Sequence, residues 1–229
     1  HGLLARMRES QVRAVVLEVS AQALSRNRVD GLVFDVVSFL NLSHDHLDDY
    51  VDMETYFLAK LPLFDADRAH RGVVCLDTEW GQRVVDMSHI PITTIASVPG
   101  VDAEWTVTVL EERAEFTEFS LTSVSGASIT TRVPVIGHHM AANAGLAIVM
   151  LVEAGFELEA IGHVLEKSGG IDAFIPGRIE RVAVSSGPAV YVDYGHSPDA
   201  FLTTMDAIKR VTEGRLIMVF GADGDRDPS

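Results

Sequence analysis

Apolar positions along the chain fall into two rhythms, and their order predicts the architecture. Short β-branched runs at residues 14–19, 32–39 and 73–76 alternate with helical stretches, one of them spanning residues 54–61. Such alternation predicts a parallel sheet flanked by helices. Residues 93–97, 105–110, 115–121 and 128–135 then alternate apolar and polar side chains, with Pro99-Gly100 and Ser125-Gly126 between runs. That pattern predicts an antiparallel meander on the same domain. Helices are expected over 138–154 and 158–167, the second with Glu157 and Glu159 at its start and Gly169-Gly170 at its end. After Pro176-Gly177 the rhythm restarts with strands at 179–184 and 189–192, a helix at 199–210 and a strand at 216–220. The fold class expected is α/β: a mostly parallel sheet plus an antiparallel meander over residues 1–176, then the first part of a Rossmann-like domain over 177–229.

Composition narrows the possibilities. With 47% apolar and 22% charged residues the chain has the balance of a folded globular protein. The 33 acidic against 18 basic residues give a net charge of -15, which works against a sequence-independent grip on nucleic acid or an anionic bilayer. Cys75 is the single cysteine, so no intramolecular disulfide can form, and a reducing, cytoplasmic setting fits. The longest stretch without formal charge, residues 133–152, is interrupted by Pro134, Gly137, His138, His139 and Asn143, so it reads as a turn and a buried helix rather than a membrane span. The chain opens in what reads as the middle of a helix, residues 3–11, and closes in a polar loop, so both ends are expected to be cut.

The densest chemistry is Asn41-Leu-Ser-His-Asp-His-Leu-Asp-Asp49, directly after an apolar strand. In open α/β sheets ligands collect at the carboxyl ends of strands. A polar strand-to-helix loop is an equally ordinary reading. His44-x-His46-x-Asp48 also approaches a zinc-hydrolase motif, but Asp49 stands where that motif needs a further histidine.

The stretch continues to Lys60 and Leu-Pro-Leu-Phe64, and further pieces follow in order: Leu17-Glu-Val-Ser20, Asp77-Thr-Glu-Trp-Gly81, Pro176-Gly-Arg-Ile-Glu-Arg181, Val192-Asp-Tyr-Gly-His-Ser-Pro-Asp199, and Val219-Phe-Gly-Ala-Asp-Gly-Asp-Arg-Asp227. Together these motifs resemble the Mur ligase family, and within it the UDP-N-acetylmuramoyl-tripeptide synthetases. The resemblance implies an ATP- and magnesium-dependent enzyme of peptidoglycan precursor synthesis that joins an amino acid to a UDP-N-acetylmuramoyl-peptide. It implies magnesium ligation by Glu18, His46 and a carbamylated Lys60, with His46 and Lys60 at the catalytic centre. Asn143, Arg178 and Asp193 are implied at the nucleotide, and Ser20, Arg28 and Arg226 at the substrate. A carbamate suits the metal because it replaces a repelling ammonium with a carboxylate. The family's phosphate loop and amino-terminal domain are expected upstream of residue 1, and most of its carboxy-terminal domain beyond residue 229.

Several positions depart from the family pattern. Ala21-Gln22 stands for Ser-His, Met140 for a helix asparagine, Cys75 for asparagine and Thr78 for aspartate. A non-catalytic or altered-substrate relative is therefore a second expectation, as is a ligase of the folylpolyglutamate or cyanophycin type.

Overall fold

The computed structural model describes residues 2–43, 49–182 and 187–221. Eight strands and seven α-helices are assigned within them. They run α1 (Gly2–Glu9), α2 (Ala21–Ser25), β1 (Phe34–Phe39), α3 (Met53–Lys60), a 3-10 turn (Leu61–Phe64), β2 (Ala69–Cys75), α4 (Glu79–Met87) and β3 (Ile92–Ala96). Then come β4 (Trp105–Glu112), β5 (Thr117–Ser123), β6 (Ser128–Val133), α5 (His138–Glu153), α6 (Leu158–Ser168), β7 (Glu180–Val182), β8 (Val190–Val192) and α7 (Pro198–Arg210).

The main sheet has six strands in the order β1-β2-β3-β4-β5-β6. Its first four strands are parallel, and β4, β5 and β6 form the antiparallel part. The mixed α/β class expected from the rhythm is thus the one observed. One detail differs: residues 93–97 belong to the parallel part, since β3 runs parallel to both neighbours and meets β4 only at Ile95↔Trp105 and Ala96↔Thr106.

α5 forms because Ala, Leu and Met dominate its sequence, residues of high helix propensity. Its buried Ala141, Ala144, Gly145, Ile148 and Val149 follow the spacing of one helical face, and that face lies on the sheet. Contact is close at Gly145, where a Cβ would sit 2.4 Å from Val107 Cγ2. The far end of α5 is pinned by Glu153, which accepts from Arg71 Nη1 at 2.9 Å and Thr93 Oγ1 at 2.7 Å. On the other face a second cluster joins α2, α3 and α4 through Ala21, Leu24, Tyr56, Phe57 and Val84. β2 separates the clusters: Val73 belongs to the first, Val74 to the second, and both are fully buried. A strand covered on two faces reads as a continuous apolar run, which is why its sequence lost the period-two signal.

Two expected strands are absent. Residues 14–19 and 216–220 carry strand-forming side chains but have no ladder partner, and Val16 and Val219 are 93% and 94% exposed. β-propensity describes fit to a half-buried pleated surface, so it creates no strand where a neighbour is lacking. Conversely α4 went unpredicted, its apolar content being low and its start set by packing. Gly81 lies so close to the end of β2 that a Cβ would overlap the Cys75 carbonyl oxygen at 1.9 Å. None of the helices among the described residues is long and apolar enough to cross a membrane.

Replacing Gly81 with Ala should force α4 away from β2 and cost about 1–3 kcal/mol, the usual range for overpacking. A urea titration should show a lower midpoint with an unchanged slope.

Candidate functional site

The loops that follow β1, β2 and β3 lie at the carboxyl ends of parallel strands, where ligands gather in open α/β sheets. Asp77, just beyond β2, ties two of them together. Its carboxylate accepts from Ser97 N at 2.7 Å, Ser97 Oγ at 2.5 Å and Val98 N at 3.0 Å. Nothing in the sequence singled Asp77 out as the anchor of the loop after β3. A strand-end aspartate facing the next strand's end is the signal that was there to read.

Of the β1 loop, residues 44–48 fall outside those described, and with them His46 and the alternative His44-x-His46-x-Asp48 set. Arg226 falls outside as well. The described end of this loop is held by α2: Gln22 Nε2 donates to Asp49 Oδ2 at 2.9 Å, and Arg26 Nη2 reaches Asp49 Oδ1 at 3.5 Å. Gln22, a departure from the family pattern, therefore anchors this loop. Ser20 is the N-cap of α2, its hydroxyl accepting from Ala23 N at 3.1 Å. Glu18 lies exposed in the coil just before it, and exposed Arg28 closes the turn after α2 through its N–H to Ala23 O at 2.8 Å.

Lys60 ends α3, and its Nζ lies 4.7 Å from the centre of the Tyr56 ring, a cation–π distance. Tyr56 in turn stacks on Tyr50, centroids 5.1 Å apart. α3 starts at Asp52, whose Oδ1 accepts from Thr55 N at 2.7 Å, and that backbone hydrogen bond holds the Asp52 carboxyl below its ordinary range. Arg83 on α4 steadies α3 by forking onto Glu54 at 2.7 and 2.6 Å while lying over the Phe57 and Trp80 rings. The helices bearing Ser20 and Lys60 therefore share one apolar cluster.

A second group forms where the chain after Pro176 returns to the sheet. Asp193 is half-buried and heavily used: Oδ2 accepts from Ile179 N at 2.8 Å, and Oδ1 from Gly195 N at 2.8 Å and Thr204 Oγ1 at 3.3 Å. A carboxylate has about four lone-pair sites, so about one is left for a ligand hydroxyl. Arg178 lies over the Tyr194 ring at 5.6 Å, and Tyr194 N donates to Gly177 O at 2.7 Å. Arg178 and Asp193 are thus brought together by the β7–β8 pairing. Asn143 is exposed on α5, one turn beyond His139. Burial is the main cause that pushes the His139 ring below its ordinary pKa, while the Asp193 carboxylate opposes that shift, so the start of α5 lies within the field of the Asp193 loop.

Among the described residues no group of three or more His, Cys, Asp or Glu side chains is gathered as for a metal ion. Two clefts, of about 380 and 470 Å³, open beside β6 and beside the β5–β6 turn, and neither is lined by a candidate residue.

Residues 1–151 match the Mur ligase middle domain, and residues 177–229 match the Mur ligase, glutamate ligase domain. The chain is 62% identical over 99% of its length to a UDP-N-acetylmuramyl-tripeptide synthetase of Leifsonia xyli subsp. xyli, of which it covers 44%. It is 40% identical, again over 99% of its length, to a UDP-N-acetylmuramoyl-L-alanyl-D-glutamate--2,6-diaminopimelate ligase of Streptomyces avermitilis, also covering 44%. A solved structure of a ligase of that latter name superimposes with a TM-score of 0.71 at 28% identity, over 92% of this chain and 43% of that one. The chain therefore spans less than half the length of these relatives.

His139 should titrate in NMR with a midpoint below 6.5. Between that midpoint and 6.5 the unfolded chain binds a proton that the folded chain refuses, so stability is full above the window and falls as pH drops through it. His139→Gln should flatten that part of the pH–stability curve.

Proposed function

The chain belongs to the Mur ligase family, and on that premise we propose that it is the central part of an ATP-dependent ligase adding an amino acid to a UDP-N-acetylmuramoyl-peptide. The observation that carries this reading is the 62% identity with a tripeptide synthetase over 99% of the chain. Within the matched span lie Glu18, Ser20, Arg28, Lys60, Asn143, Arg178 and Asp193, the residues to which the family resemblance assigns roles. The two groups of residues divide the work.

On one side, Ser20, Arg28 and, in the segment beyond the described residues, Arg226 would engage the anionic substrates. Arginine suits that task through its forked donors. On the other, Asp193 would accept a ribose hydroxyl at its remaining lone-pair site, Asn143 would face the base, and Arg178 would meet the phosphates. The nucleotide loop is braced by the hydrogen bonds of Asp193, so little ordering remains to be done on binding.

Glu18, His46 and a carbamylated Lys60 would hold magnesium. The donor set fits in kind, since magnesium takes few protein carboxylates and keeps water and phosphate oxygens for its other positions. The exposed Glu18 would supply one carboxylate, and carbon dioxide added to the neutral Lys60 amine, with loss of a proton, would supply a second. As an unmodified ammonium over the Tyr56 ring, Lys60 would repel the ion. When bound, magnesium would neutralise charge on the transferring phosphoryl group.

The reaction proposed is transfer of the γ-phosphoryl of ATP to the substrate carboxylate, attack of the amino acid's amine on the acyl phosphate, and departure of phosphate as the amide forms. The protein's share is to position the partners and to set charge against the developing oxyanions. A cytoplasmic setting accords with nucleotide-activated substrates.

In the full-length ligase carrying this sequence, Lys60→Ala should lower kcat on the order of 100-fold or more, the scale seen when a charge-stabilising group is removed. Added formate or acetate should restore part of it. Full turnover by Lys60→Ala would overturn the role given to this lysine. Asp193→Ala should raise the KM for ATP, because it removes both the hydroxyl acceptor and the bonds that shape the loop.

A further inference from the structure

The geometry points to Glu112, the last residue of β4, as a positioning residue that fixes the nucleotide loop of the second domain relative to α5. Its side chain is only 9% exposed. It accepts from Arg210 Nε at 2.6 Å and Nη2 at 3.2 Å, a forked and charge-assisted grip. His138, the first residue of α5, brings Nε2 to 3.6 Å from the same carboxylate. One carboxylate thus joins the end of β4, the start of α5 and the end of α7.

α7 connects this grip to the candidate site. Arg210 is its last residue, and Thr204, six residues back or about 9 Å along the axis, donates to Asp193 Oδ1. At its start Ser197 caps the helix by accepting from Ala200 N at 3.3 Å, so the 193–197 loop runs straight into α7. Beneath the grip the contact is apolar: Ile179, Ala207 and Ile208 are buried in one cluster with Phe119, Ile136 and Met140. Among the described residues the second domain adds only Ile179, Ala207 and Ile208 as buried members of that cluster, a contact too small to fix the angle by interlocking packing, and the hydrophobic attraction itself is non-directional. A forked ion pair at its edge does fix it. Another pair across the seam, Arg181 Nη1 to Glu115 Oε1 at 2.5 Å, joins side chains that are 48% and 61% exposed, and such pairs contribute little. Glu112 is therefore the residue that sets the angle, and Glu115 is a control for it. Neither stands among the residues that the family resemblance assigns to substrate, nucleotide or metal.

This inference rests on the nucleotide reading of Asp193, and its test separates the two. In the full-length ligase, spin labels on Val124→Cys and Leu202→Cys, both at exposed positions, report the distance between the domains by double electron–electron resonance. Cys75 stays unlabelled, since burial pushes its thiol up to about 12. We expect a narrow distance distribution in the parent. Glu112→Gln should broaden it and raise the KM for ATP about tenfold with kcat changed less than twofold, whereas Glu115→Gln should alter neither. The exchanged pair Glu112→Arg with Arg210→Glu, which keeps a guanidinium–carboxylate fork, should narrow the distribution again and bring the KM back. An unchanged distribution in Glu112→Gln, a broadened one with unchanged KM, equal broadening by Glu115→Gln, or no recovery in the exchanged pair would each overturn the inference. A parent enzyme that consumed no ATP would instead sink the ligase reading, while broadening by Glu112→Gln would still support the grip.

Discussion

The close approach of α5 to the sheet is the constraint on which the rest depends. A helix can lie this near only where its facing residues are small, and Ala141, Ala144 and Gly145 provide that at the centre of the contact. Packing one helix against the parallel and antiparallel parts together makes them a single body. It also fixes the place of the α5 N-terminus, where buried Thr117 accepts from Gly137 N at 3.0 Å and donates to Val135 O at 2.9 Å. His138, His139 and Asn143 take their positions from that anchoring, and the Asp193 carboxylate acts electrostatically on His139 there.

Two apolar clusters on opposite faces of the sheet then divide the candidate site. One, built on α2, α3 and α4, carries Ser20 and Lys60; the other, built on α5, extends to Ile179 and α7 and so to Asp193. Within the second half, the forked pair of Glu112 and Arg210 joins β4 to α7 and is more buried than the exposed pair of Glu115 and Arg181.

The polar residues that hold this arrangement were the least legible. Arg83, Glu112 and Thr117 have ordinary sequence surroundings, and each of them, like Asp77, hydrogen-bonds a partner eighteen or more residues away. Lys60 and Asp193 were singled out only because they stand in motifs. In isolation a lysine at a helix end and an aspartate at a strand end are common. The departures from the family pattern gained meaning from contacts: Gln22 became the anchor of Asp49, a role no reading of residue type alone would supply.

Sequence by itself determined the α/β class, the positions of the helices with strong periodicity and the family to which the chain belongs, because these depend on local rhythm and on ordered motifs. Tertiary structure alone decided whether an apolar run became a strand. Residues 14–19 and 216–220 have the composition of strands and remain unpaired, whereas β2, with no alternation at all, sits buried in the sheet. The reason is that a strand is completed by hydrogen bonds from its neighbours, and a neighbour is a property of the fold rather than of the segment.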